Sequence, residues 1–164
     1  MIDPTIQHLT EIKLVGSKVQ MSYMNNRTRE IWQSFMPRRK EIIHVISSDL
    51  YSVELYPSIT YFEQFNPNST FEKWAAVQVS EFESIPKSME ILTIPSGQYA
   101  VFPFKGTVKE AAAMYQYILN TWIPQSSFML DHRPHFAVMG EKYKNNDPDS
   151  EEEFWVPIKS RSND

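Results

Sequence analysis

The chain has 164 residues, a length that suits one domain with a full hydrophobic core. Its formal charge of −4 argues against direct nucleic-acid binding and is compatible with cationic ligands. With no cysteine it has no disulfide frame and no thiolate chemistry, and with no apolar run of spanning length no membrane partner is expected. Met1-Ile2-Asp3-Pro4 does not read as a signal peptide, so the expected location is cytoplasmic. Four Trp and eight Tyr are many for a plain scaffold.

Residues 6 to 23 alternate like a strand through Ile12, Leu14, Val19, Met21 and Tyr23, with Gly16 as a candidate bulge. Thr28 opens a helix whose apolar stripe is Ile31, Trp32, Phe35 and Met36. Pro37 should end or kink it, although Ile42, Ile43 and Ile46 suggest that helical spacing resumes. Residues 49 to 56 read as a strand, with Ser52, Glu54 and Tyr56 opposite Tyr51, Val53 and Leu55. After a polar loop, residues 71 to 82 return as a strand through Trp74 and Ala76 on one face and Ala75 and Val77 on the other.

The second half repeats the order. Residues 89 to 104 are strand-rich, with a turn at Pro95-Ser96-Gly97. Thr107-Val108-Lys109-Glu110 has the form of a capping box, and Val108, Ala111, Ala112, Tyr115, Ile118, Leu119 and Trp122 follow at helical spacing until Pro124. Two strands then close the chain, residues 135 to 143 and 152 to 159, joined by an acidic loop. Strand-helix-strand-strand therefore occurs twice. The expected fold is α+β over residues 1 to 164: two pseudo-symmetric units forming an antiparallel curved sheet, helices on one face, the other face left to curve around something.

One spacing points to a ligand. Ala137, Met139, Glu141 and Tyr143 would share a strand face, and a carboxylate on an apolar, aromatic face is costly unless something cationic meets it. Trp74 and Trp155 lie on strands and are candidate walls, Trp32 a weaker one, and Trp122 reads as packing. No Walker loop, Rossmann glycine pattern or nucleophile elbow is present, and four glycines leave little material for a phosphate cradle. His132 and His135 flank a proline without a third ligand, so neither a metal nor a cofactor is expected.

Ile94-Pro95-Ser96-Gly97-Gln98-Tyr99-Ala100-Val101-Phe102, the helix end Trp122-Ile123-Pro124, Gly140-Glu141-Lys142-Tyr143 and Glu153-Phe154-Trp155-Val156-Pro157-Ile158 together resemble the GyrI-like effector-binding domain, the drug-sensing half of several multidrug transcription regulators. The resemblance implies a tandem pseudo-symmetric, SOUL-like fold with a ligand cavity between the halves, aromatics lining it and an acid facing it. By the family's acid two residues before a Tyr, the acid is Glu141, with Tyr143. By the family's Pro-any-Phe-Glu pattern the acid is absent, because Ala137 follows Pro134-His135-Phe136. Glu141 would then serve from roughly 13 Å further along the strand.

The implied partners are hydrophobic or cationic small molecules, held by Glu141, Tyr143, Trp74, Trp155 and Trp32 for sensing or sequestration. One branch of the family is linked to inhibition of DNA gyrase, which keeps a protein partner in view. No helix-turn-helix is read before residue 6 or after residue 160, so a stand-alone protein is expected. The alternative is a small hydrolase of electrophilic toxins, as in some family members, with Glu141 as general base.

Overall fold

The computed structural model describes residues 3–161, so Met1 and Ile2 of the N-terminal segment lie outside the described residues. Strand β1 (Thr5–Leu9) is followed by β2 (Ile12–Met21), α1 (Thr28–Phe35), β3 (Leu50–Leu55) and β4 (Phe71–Val79). The second half runs β5 (Glu90–Ile94), β6 (Gly97–Lys105), α2 (Val108–Tyr117), β7 (Phe128–Leu130), β8 (His135–Met139) and β9 (Glu151–Ser160).

Each helix has a local cause. In α1, Ile31 and Phe35 are one turn apart and buried, and Asn26 Oδ1 accepts from Thr28 N at the start. Pro37 cannot donate to the helix ladder, and the chain tightens into a 3₁₀ turn over Met36–Glu41. The helical spacing expected from Ile42, Ile43 and Ile46 does not resume. Ile42 is extended, Val45 bridges Val79, and Ile46 N donates to Gln78 O, so the end of β4 takes the hydrogen bonds that a helix would have used. The α2 capping box forms as read: Thr107 Oγ1 accepts from Glu110 N, and Glu110 Oε1 accepts from Thr107 N. Beyond Tyr117 the helix loosens into a π turn, Ile118–Trp122.

The sheet order is β1-β6-β9-β8-β3-β4-β2-β5, with β7 paired to β9 off this path. All its pairings are antiparallel. About its centre, where β8 meets β3, β9 corresponds to β4, β6 to β2 and β1 to β5. This is the pseudo-symmetry read in the sequence. Two short connections, β1 to β2 and β5 to β6, join strands from opposite ends of the sheet. Those ends can meet only if the sheet curls. The turn at Pro95 and Ser96 thus carries the chain from one end of the sheet to the other. Gly16 is no bulge, because β2 and β4 stay in register from Lys13↔Val79 to Met21↔Phe71. A Cβ on Gly16 would lie 2.1 Å from Ala75 O, so glycine permits the close backbone approach.

Both helices pack on one face. The α1 end buries Val15, Ala75, Val77 and Val79, and the α2 end buries Ala100, Phe102, Phe154 and Val156. The helix-free face curls around its own side chains. Leu14 and Ile94 from one end meet Tyr99 and Val101 from the other, over Trp74, Val53 and Phe136. The expectation that this face curves around a ligand is therefore corrected: it is filled by core. The open volume lies on the helix face, along α2 and reaching the start of α1 at Thr28.

Candidate functional site

The floor of that volume follows from register. Glu54 pairs with Lys73, Ser52 with Ala137, Ala137 with Phe154, and Phe104 with Glu152, so these side chains share the helix face. One wall is α2 with the π turn that follows it: Val108, Ala111, Ala112, Tyr115 and Gln116 of the helix and Leu119 and Asn120 of the turn line the cavity. The other wall is Tyr23 and Tyr56 packed on Phe71, with Phe65 against Tyr23 and Phe62 against Tyr56, at ring separations of 4.7 to 5.5 Å. Together they enclose about 650 Å3. The apolar stripe of α2 does not fill this space. No residue of Val108–Tyr117 is buried.

Three charged groups face this cavity. The Lys73 ammonium is ion-paired with the Glu54 carboxylate, their side chains 11% and 17% exposed. Among the described residues Glu152 has no such partner. Burial pushes its carboxyl up to about 7, the Glu54 charge adds to the shift, and the Lys73 charge opposes it. On the same face, opposite Glu54, His135 is buried and shares a hydrogen bond through Nδ1 with the Tyr115 hydroxyl. Burial takes its pKa down to about 3, so it is neutral. The Tyr23 and Tyr56 hydroxyls meet at 2.8 Å, and burial raises both phenols above their usual range. An aromatic chamber with one paired and one unpaired carboxylate is suited to a hydrophobic ligand carrying positive charge.

The residues singled out from the sequence sit elsewhere. Strand β8 ends at Met139, because its partner β3 begins at Leu50 opposite it. Glu141 is consequently exposed in a turn, not on a strand face, and lines a shallow groove of about 530 Å3 with Lys105, Lys142 and Glu151. Tyr143 is half-buried in the same loop, its phenol pushed up by burial and by the charge of Glu152. Trp74 is buried on the helix-free face, its Nε1 donating to Glu72 Oε1 at 2.8 Å. Trp155 stacks on Phe136 on that same face, and its Nε1 donates to Glu153 Oε1. Trp32 packs edge-on against Phe35 in the α1 core. None of these five lines the aromatic cavity.

Ala137, the position without the expected acid, does lie on the cavity floor. The acids come from its neighbours: Glu54 two residues beyond Ser52, and Glu152 two residues before Phe154. The signal for Glu54 was legible as a polar strand face, Ser52-Glu54-Tyr56. Its cross-strand pairing with Lys73 was not, since no turn fixes the register of β3 against β4 across the long loop.

Among the described residues, the ligand atoms of His44, Glu81 and Glu83 lie within 4.8 Å of one another, a set that suits a divalent ion; all three are exposed and none lines the cavity. No helix among the described residues is long and apolar enough to cross a membrane.

The family model described as Cass2, integron-associated effector binding protein, matches residues 5–158. Among solved structures, SAV2435 bound to tetraphenylphosphonium superposes with a TM-score of 0.69 at 18% identity, covering 96% of this chain and 94% of that one. An integron cassette protein from the mobile metagenome of Vibrio cholerae gives 0.67 at 11% identity, with 96% of each chain covered. A hydrolase encoded by lin2189 from Listeria innocua gives 0.61 at 9% identity, covering 96% and 92%. No curated protein matches the chain.

Proposed function

The chain belongs to the integron-associated effector binding protein family, and we propose that its effectors are hydrophobic organic cations held between α2 and the wall of Tyr23, Tyr56, Phe62 and Phe65, with Glu152 as the counter-charge. The observation that carries this reading is a half-buried carboxylate, without an ion-pair partner among the described residues, in an aromatic cavity. Lys73 neutralises Glu54, which leaves Glu152 to meet the ligand charge. Cation–ring contacts with Tyr23, Tyr56 and Phe65 add about 0.5–2 kcal/mol in a desolvated site. SAV2435, of like fold, is bound to a permanent organic cation, which supports the choice of probe. Capture of such a molecule serves sensing or sequestration.

Calorimetric titration with tetraphenylphosphonium and neutral triphenylmethane tests the reading. Glu152→Gln should weaken the cation by roughly 1–3 kcal/mol, the scale of a lost charge-assisted contact, and leave the neutral compound unchanged. Equal losses for both would reduce Glu152 to a shaping role.

The same carboxylate supports a second reading, a hydrolase. A group with a pKa of about 7 is suited to take a proton from water at neutral pH, and a structural neighbour is a hydrolase. Product formation from an epoxide, abolished in Glu152→Gln while binding persists, would favour it. Stoichiometric binding without product favours the effector reading.

A further inference from the structure

The buried ammonium is the unexpected group in a cavity that suits cations. Lys73 is 9% exposed, sits on the floor beside Phe71 and Glu54, and lines the open volume. A lysine ammonium has three N–H donors. Among the described residues Lys73 has one partner, Glu54. Its other donors have the cavity to turn to, and an unmet donor in a desolvated site is costly. A ligand that offers only apolar surface and a cation leaves that cost in place.

We propose that the ligands are aromatic monocations that also carry a neutral hydrogen-bond acceptor, a carbonyl or ether oxygen, received by the spare N–H bonds of Lys73 while the cation meets Glu152. This deepens the proposed effector reading and rests on it.

Charge decides between acceptors. Glu54, Lys73 and ionised Glu152 leave the floor with one net negative charge. A monocation brings the site to neutrality. A zwitterion leaves it negative and sets its carboxylate against Glu54, which already holds Lys73. A carbonyl oxygen accepts from Lys73 without displacing Glu54. Geometry separates the two polar points as well. Lys73 is on β4 and Glu152 on β9, with β3 and β8 between them, a spacing of about 14 Å between strand axes at about 4.8 Å each. The acceptor and the cation therefore belong at opposite ends of an elongated aromatic body.

Three aminomethyl-biphenyls test this, carrying acetyl, isopropyl or carboxylate at the far end. Acetyl and isopropyl have nearly the same shape, and isopropyl is the more apolar. Without a donor in the cavity the isopropyl compound binds more tightly. With Lys73 acting as described, calorimetry on the unmodified protein should show acetyl tighter than isopropyl by about tenfold, and the carboxylate weaker than acetyl. In the double variant Glu54→Gln with Lys73→Met, which removes the pair together and strands neither charge, isopropyl should overtake acetyl. Isopropyl at least equal to acetyl on the unmodified protein overturns the proposal, with no variant needed. So does a preference for acetyl that survives in the double variant. If tetraphenylphosphonium binds and acetyl gains nothing, the cation reading stands and the role of Lys73 falls. If none of the three compounds nor tetraphenylphosphonium binds, both fall.

Discussion

Both faces of the sheet are aromatic, and they do opposite work. On the helix-free face Trp74, Tyr99, Phe136 and Trp155 interlock, and each polar atom has a partner: Trp74 with Glu72, Trp155 with Glu153, Tyr99 with the Pro134 carbonyl. On the helix face Tyr23, Tyr56, Phe62 and Phe65 stand around a space, and the carboxylate of Glu152 has no ion-pair partner among the described residues. Aromatic content therefore does not mark a pocket. A charge left without a partner inside an aromatic shell does.

The comparison breaks most visibly at Trp74. If the helix-free face is pure core, Trp74→Ala should cost about 3–5 kcal/mol in urea unfolding, the range for truncating a buried Trp. At denaturant-free conditions, where the variant remains folded, its affinity for tetraphenylphosphonium should hold. A selective loss of affinity without loss of stability would return Trp74 to the ligand wall.

The next largest effect is one of pH. The folded pKa of Glu152, about 7, stands above its ordinary 4.5, so the folded state holds this proton more tightly than the unfolded state does. The stability it contributes is complete below pH 4.5 and lost as pH rises through 7. His135 acts in the other sense. Its folded pKa of about 3 lies below its ordinary 6.5, so its contribution is complete above pH 6.5 and lost as pH falls toward 3. Between 4.5 and 6.5 the two slopes oppose each other. Glu152→Gln removes one of them. The variant should then gain about 2–3 kcal/mol more than the unmodified protein on going from the lower to the upper of those values. Parallel stability–pH curves for the two proteins would show that Glu152 is solvated and not part of a desolvated site.

A smaller effect belongs to the cavity mouth. Phe65 is 49% exposed and stacks on Phe62. Phe65→Ala should leave folding nearly intact and weaken cationic and neutral ligands alike by about 1 kcal/mol. A loss confined to cations would mean that Phe65 acts through its ring face alone.

The smallest is at Glu141. Exposed in its turn, Glu141→Gln should change stability by less than about 0.5 kcal/mol and leave cation affinity where it was. A tenfold loss of cation affinity would move the ligand from the aromatic cavity to the groove beside Lys105 and Lys142.

Local patterns along the chain were enough to set most of the elements and their doubling. Period-two alternation in β2, β3 and β4, the stripe of Ile31 and Phe35, and the capping box at Thr107 are local signals, written in neighbouring residues. They were enough for an α+β sheet with helices on one face. Tertiary structure decided which face is full and which is open. The stripe of α2 reads the same whether it meets core or cavity, since periodicity reports an apolar face and not what it touches. Glu141 reads as a strand residue until the start of β3 at Leu50 shows where β8 loses its partner. Glu54, Lys73 and Glu152 lie 19 and 79 residues apart along the chain. Only the registers across β4, β3, β8 and β9 set them over one floor, and burial there, not sequence, gives Glu152 its raised pKa.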